Sequence, residues 1–133
     1  MRITTKGRYG VRAMVNLATL GSDDPVSIRS IAEKENLSPE FLEQIFYKLK
    51  KAGLINSCRG AGGGFRINKP LETISILDIL DAVGEETDLT PCSEEDYICP
   101  NRKVCPCMEL WTGGTELIRN YFEKISIKDL IKK

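Results

Sequence analysis

Apolar positions in the first half of the chain recur at helical spacing in three short runs, each closed by a stop signal. Over residues 8–20, Tyr9, Ala13, Met14, Leu17, Ala18 and Leu20 fall near one stripe, and Gly21 with Ser22-Asp23-Asp24-Pro25 ends the run. Ser27 caps a second helix from Ile28 to about Glu35, with Ile28, Ile31 and Ala32 turned inward. After the short turn Asn36-Leu37, Ser38 caps a third helix, and Pro39 takes the first helical position, where a missing N–H costs nothing. This helix runs to Ala52, stops at Gly53 and buries Phe41, Leu42, Ile45, Phe46 and Leu49. The period then becomes extended. Residues 54–58 and 65–68 read as short strands around Arg59-Gly60-Ala61-Gly62-Gly63-Gly64, a glycine-rich tip that lets a hairpin lie close to another backbone. Two helices joined by a short turn and followed by a hairpin make a winged helix.

Pro70 ends the hairpin, and Ser75 caps a short helix, residues 76–83, with Ile76, Leu77, Ile79, Leu80 and Val83 apolar. Gly84 stops it. Residues 85–106 show no periodicity and predict a long functional loop rather than packed structure. From about Cys107 a helical pattern resumes through Met108, Leu110, Trp111, Leu117, Ile118, Tyr121, Phe122 and Ile125. It is the longest apolar pattern in the chain and exceeds what so small a domain covers, which predicts packing against a second copy. Gly113-Gly114 weakens the helix but permits close backbone contact, and Ser126 caps a last short helix through Leu130 and Ile131. The expected fold is mostly α with a small β-hairpin wing: a winged helix-turn-helix with a long C-terminal dimerisation helix. It divides into a DNA-binding part, 1–83, a cysteine-rich loop, 84–107, and a dimerisation and C-terminal part, 108–133.

Composition narrows the class. The chain has 133 residues, 41% of them hydrophobic and 29% charged, as in one soluble domain or one small domain with an appended arm. No apolar run approaches the roughly 20 residues of a membrane span. No apolar stretch follows the charges of the first residues, so a signal peptide is not expected and the protein reads as cytoplasmic. A formal net charge of zero conceals an asymmetry. Residues 1–70 hold 12 Lys/Arg against 6 Asp/Glu, and residues 71–133 hold 7 against 13. A basic front half places a polyanion-binding face there.

The outer face of the third helix carries Glu40, Glu43, Gln44, Tyr47, Lys48, Lys50 and Lys51. Gln44 suits a base edge, while Lys48, Lys50 and Lys51 suit phosphates. Glu43 repels phosphate yet accepts from cytosine N4, so it would discriminate between sites. Arg59 at the wing suits a minor groove or a guanine, and Arg2, Lys6, Arg8 and Arg12 add phosphate contacts. Tyr9, Ser38, Gly60 and Gly62 complete the candidate set for double-stranded DNA. The glycine run has no Lys-Ser/Thr pair and no following helix, so it is neither kind of nucleotide-binding loop.

The chain has five Cys and no His. Without His, a Ser/His/Asp or Cys/His catalytic site is excluded, and neither an enzyme nor a small-molecule substrate is expected. Four Cys lie in the spacing Cys92-x6-Cys99-x5-Cys105-x-Cys107. Thiolates are soft ligands for iron–sulfur clusters, zinc or Cu(I). A structural zinc site prefers CxxC pairs, and none occurs; wide gaps on a flexible loop instead suit wrapping a cluster. Cys58 reads as a small buried hydrophobe. Two rival readings are a regulator with zinc or bare redox thiols, and a small metal-bearing electron carrier.

The opening Met-Arg-Ile-Thr-Thr-Lys-Gly-Arg-Tyr-Gly, the Leu42-Glu43-Gln44-Ile45-Phe46 of the third helix, the Arg59–Phe65 hairpin tip and the loop ending in Cys105 and Trp111 together resemble the IscR/NsrR/CymR family of winged-helix regulators. The resemblance covers nearly the whole chain. It implies a homodimer and DNA reading by Glu43, Gln44 and Arg59. In the iron–sulfur branch it implies a cluster held by Cys92, Cys99 and Cys105. The sequence departs from the branches it resembles at their fourth ligand. Met108 stands where one branch has His, and Arg8 where another has Asp. Cys107 is the natural substitute, ahead of Glu109, Met108 or a group from the partner subunit. The cluster type stays open, with [2Fe–2S] favoured over [4Fe–4S]. A branch that regulates cysteine metabolism through thiols alone lacks the three-cysteine set.

Overall fold

The fold was described from a computed structural model that covers residues 2–21, 24–94 and 96–131. Ser22 and Asp23 of the expected helix stop, and Met1 of the opening motif, lie outside the described residues. Helix α1 (Thr5–Leu20) begins three residues earlier than its apolar stripe predicts, because Thr4 already adopts the extended cap conformation. Ala13, Met14 and Leu17 are buried, and so are Gly7, Gly10 and Asn16, which the stripe omits. Leu20 keeps to the stripe angle but is exposed at the end of the helix, where no element covers it.

Helix α2 (Ile28–Glu35) is capped by Ser27, whose side chain accepts from Ser30 N–H at 3.1 Å. Asn36 then takes the left-handed conformation (φ 55°) that a short polar side chain tolerates, and the chain turns into α3 (Pro39–Lys51). Ser38 accepts from Phe41 N–H at 3.2 Å. Leu42, Ile45, Phe46 and Leu49 are fully packed, while Phe41 is only half-buried. Strands β1 (Ile55–Cys58) and β2 (Gly64–Ile67) pair antiparallel, with Ile55 opposite Ile67 and Cys58 opposite Gly64. Val26 bridges to Phe65 by two backbone hydrogen bonds of 2.8 Å, adding a third extended segment to the hairpin. Cys58 is half-buried rather than buried, because it stands at the tip end of its strand.

Helix α4 (Ile76–Ala82) opens with a full capping box. Ser75 accepts from Asp78 N–H and the Asp78 carboxylate accepts from Ser75 N–H, both at 3.0 Å. Helix α5 (Met108–Glu123) follows the cysteine loop, and α6 (Ile127–Ile131) ends the described chain. Ser126 and Asp129 repeat the capping box. The two boxes lie side by side: Ile76 N–H donates to Ile125 O at 2.8 Å and Ile127 N–H to Ile74 O at 3.0 Å. Ile74 and Ile127 thereby enter one core with α1, α3 and α4, in which Met14, Leu42, Phe46, Leu49 and Ile79 have no exposed surface. No helix among the described residues is long and apolar enough to cross a membrane.

Candidate nucleic-acid interface and cysteine cavity

Burial of Leu42, Ile45, Phe46 and Leu49 sets the rotation of α3 and turns Glu40, Glu43, Gln44, Tyr47, Lys48 and Lys51 to solvent. Tyr47, four residues on, lies almost above Glu43, while Gln44 and Lys48 form a second such pair about 100° round, and all four are exposed, so together they make one broad outward surface. Lys50 does not join them. Its Nζ donates to Ser57 Oγ at 2.8 Å and ties α3 to the hairpin instead of facing a phosphate. The Phe46 and Phe65 rings stack 4.9 Å apart at 10°, so the wing and α3 share one rigid seat.

At the tip, Arg59, Gly60, Ala61 and Gly62 are exposed. Gly60 (φ 96°) and Gly62 (φ 79°) supply left-handed turns, and a Cβ at either would meet nothing within 4 Å. Close approach falls to their neighbours. A Cβ on Gly63 would stand 2.4 Å from Cys58 O, and one on Gly64 2.4 Å from Val26 O. The expected close contact of the glycine run therefore lies at its root, inside the chain.

The N-terminal cations divide. Arg2 and Arg8 are exposed and Lys6 half-buried. Arg12 is engaged in an ion pair with Glu35, whose second oxygen accepts from the buried Asn16 amide at 2.8 Å. Tyr9 is half-buried, edge-on to Phe41 at 6.1 Å, with the Arg8 and Arg12 guanidinium groups 5.8 and 5.5 Å from its ring centre. It holds the start of α1 against the start of α3. The Ser38 oxygen is occupied by its cap bond, which leaves the O–H as a donor.

Beyond α4 the sequence predicts an unpacked loop, yet its first residues are fastened down. Glu85 is 7% exposed and accepts from Thr4 N–H at 3.1 Å and from Thr4 O–H at 2.6 Å. This carboxylate sits at the N-terminus of α1, where unpaired amides and the helix dipole favour negative charge. Gly7 leaves it room, since a Cβ there would stand 2.4 Å from Glu85 Oε2. Arg119 of α5 donates to both Asp81 oxygens, at 3.1 and 2.9 Å, and to Thr87 Oγ1 at 2.7 Å. Hydrogen bonding to Asp81 raises its pKa above the ordinary arginine value. Leu89 N–H donates to the buried Thr115 hydroxyl at 3.0 Å, and the Leu89 side chain lies where a Cβ on Gly114 would be, 2.7 Å away. Gly114 therefore admits the loop of its own chain, while Gly113 faces open space. Glu85, Arg119 and Asn16 carry no local sequence signal, because their partners lie 81, 38 and 19 residues away.

Past Leu89 the loop turns through a single 3-10 turn (Pro91–Ser93) that carries Cys92. Cys105 N–H donates to Asn101 O at 2.8 Å, and Arg102 donates to Tyr97 O at 3.1 Å. These turns bring Cys92, Cys99 and Cys105, each half-buried, to the wall of one small cavity, with Tyr97, Arg102 and Met108. Cys107, the expected fourth ligand, is exposed and is not in that wall. Among the described residues no three Cys, Asp or Glu side chains stand close enough to hold a single metal ion. A polynuclear centre spreads its ligands further apart than one ion does, and a wall of soft sulfur donors fits such a group.

Leu110, Leu117 and Tyr121 on α5 are 63, 73 and 63% exposed and recur at i, i+7 and i+11, a continuous apolar stripe on the side away from the core. Trp111 is exposed beside it.

Comparison with known proteins places this arrangement. A family model, Rrf2, described as an iron-dependent transcriptional regulator, matches residues 3–133. The HTH-type transcriptional regulator IscR of Xenorhabdus nematophila is 36% identical over 132 residues, covering 99% of this chain and 80% of that protein. Among solved structures, CymR, described as the global cysteine regulator of B. subtilis, superposes with a TM-score of 0.79 at 32% identity, covering 98% of this chain and 95% of that one. IscR of T. potens gives 0.76 at 33%, covering 99% and 87%.

Proposed function

Because the chain belongs to the Rrf2 family of transcriptional regulators, we propose that it reads a promoter operator as a homodimer and senses its signal through an iron–sulfur cluster, [2Fe–2S] in type, held by Cys92, Cys99 and Cys105. Regulating transcription is the family's activity, so the chain is a DNA-binding regulator and not an enzyme. The observation that carries the sensing reading is the shared cavity wall of those three thiols on a loop rooted in the winged helix. In this reading Glu43 and Gln44 read bases, Lys48 and Lys51 hold phosphates, and Arg59 with Gly60 and Gly62 enters the neighbouring groove. Arg2, Lys6, Tyr9 and Ser38 flank them on the backbone. The apolar stripe of α5 meets its twin, which sets two reading helices at a fixed spacing.

When bound, the cluster supplies a centre that oxidants, nitric oxide or iron shortage can remove. The chain's own part is to convert loop order into helix position. Glu85 joins the root of the loop to the first turn of α1, and Tyr9 joins that turn to α3. A dimer seated on a promoter blocks polymerase, so repression is the expected action.

A second reading is a cluster-free thiol or zinc regulator. The likeness to CymR and the exposed Cys107 favour it. Protein purified without oxygen and weighed as a native complex separates the two, since mass reports dimer state and cluster together. A dimer carrying iron and sulfide is expected. A colourless dimer, still iron-free after anaerobic reconstitution, would leave the thiol reading in place. The operator-reading part has its own test in a titration of labelled genomic fragments, where affinity must fall steeply with salt.

A further inference from the structure

Two sulfur-bearing residues stand side by side at the start of α5, and only one of them faces the thiols. Cys107 is the cap residue; it is exposed, and its carbonyl accepts from Trp111 N–H at 3.2 Å. Met108 is the first helical residue. It is half-buried and lines the cavity with Cys92, Cys99 and Cys105. Successive residues of a helix point about 100° apart, since about 3.6 of them complete a turn. A helix rotation that turns Met108 to the cavity therefore turns Cys107 away from it. That rotation is fixed further along α5 by contacts that would not survive a change of face. Thr115 is buried and accepts from Leu89, Gly114 receives the Leu89 side chain, and Arg119 grips Asp81 and Thr87.

Resting on the cluster reading above, we infer that the Met108 thioether, and not the Cys107 thiol, is this chain's fourth contact to a bound cluster. A thioether is soft enough for iron–sulfur chemistry but carries no charge. The protein then contributes three negative charges where four thiolates would contribute four. Arg102 in the same wall, held by its bond to Tyr97 O, offsets part of what remains. Fewer negative ligands and a nearby cation make the cluster easier to reduce, and a neutral donor is the one most readily displaced by an incoming molecule. Cys107 stays at the surface, outside the set.

The test compares Cys107→Ser, Met108→Leu and Met108→His with the unmodified protein after anaerobic reconstitution. Iron and sulfide content, visible absorption and the rate of iron loss to a chelator are measured. Cys107→Ser keeps all three at the wild-type values. Met108→Leu, a swap that nearly conserves volume, shifts the absorption. It also speeds iron loss by at least about tenfold, the lower bound for losing even an outer partner of a metal ligand. Met108→His restores retention with a different spectrum. The metal-free variants keep the wild-type melting temperature, which separates ligand loss from misfolding. A wild-type cluster that is unchanged in Met108→Leu, or lost in Cys107→Ser, overturns this inference alone. Wild-type protein that takes up no iron or sulfide overturns it together with the cluster reading.

Discussion

Glu43 is a carboxylate on the face proposed to meet DNA, and in that reading its cost must be offset by what it excludes. Removing it relieves repulsion everywhere but removes a base-edge acceptor at one place only. For Glu43→Ala, affinity for random-sequence duplex should rise. The ratio of operator to random binding should shrink about tenfold, within the roughly 1–3 kcal/mol that a good base contact carries. Anisotropy titrations against both duplexes at one salt concentration give that ratio, and an unchanged ratio would remove Glu43 from the reading set. At the wing the decisive residue is Gly64. A methyl there would meet Val26 O at 2.4 Å, and that neighbour is backbone held by paired hydrogen bonds. Gly64→Ala should lower stability by about 1–3 kcal/mol in urea denaturation, in the range of overpacking strain. Single residues were legible in sequence where their chemistry is local. Ser27, Ser38, Ser75 and Ser126 each cap the helix read from them, because a cap bond spans three residues. Glu85 gave no such signal, as its partner lies 81 residues away. The spacing of Cys105 and Cys107 told which residues are near one another but not which way each faces.

Elements were legible wherever the apolar period was strong. The order helix, turn, helix, hairpin and the long last helix follow from burial patterns that leave few alternatives. Third-strand pairing at Val26 was invisible, because a single bridged residue has no period. The packed root of the 85–106 segment escaped for the same reason: polar Glu85, Thr87 and Thr115 are buried by pairing, not by hydrophobicity. Helix α5 is the element whose environment is least complete within one chain. If Leu110, Leu117 and Tyr121 meet a second copy, Leu117→Glu should convert a dimer to a monomer in sedimentation velocity at micromolar concentration, while circular dichroism stays helical. A dimer that survives the charge places the interface elsewhere on the surface.

At the scale of the molecule, the cation-rich front and the acidic rear meet at Glu85, which belongs to the rear and is buried against the front. Glu85→Gln keeps shape but replaces the charged acceptor of the Thr4 N–H and O–H by a neutral amide, a loss of up to about 1.5–3 kcal/mol, the range of hydrogen bonds to a charged group. Amide exchange in the first turn of α1 should quicken. The difference in operator affinity between protein with and without the proposed cluster should fall toward zero. A full difference retained in Glu85→Gln would mean that loop and reading helix communicate by another route.

The paired capping boxes at Ser75 and Ser126 have a mechanical consequence. Everything between them, α4, the cysteine loop and α5, is a circuit closed on the same body by two backbone hydrogen bonds, with Arg119 as a cross-brace. Such a circuit behaves as a handle riveted at both ends and not as a flap on a hinge. Its ends and the Arg119 brace are fixed points, so whatever tightens the loop pulls on the body at those places and not at a single pivot.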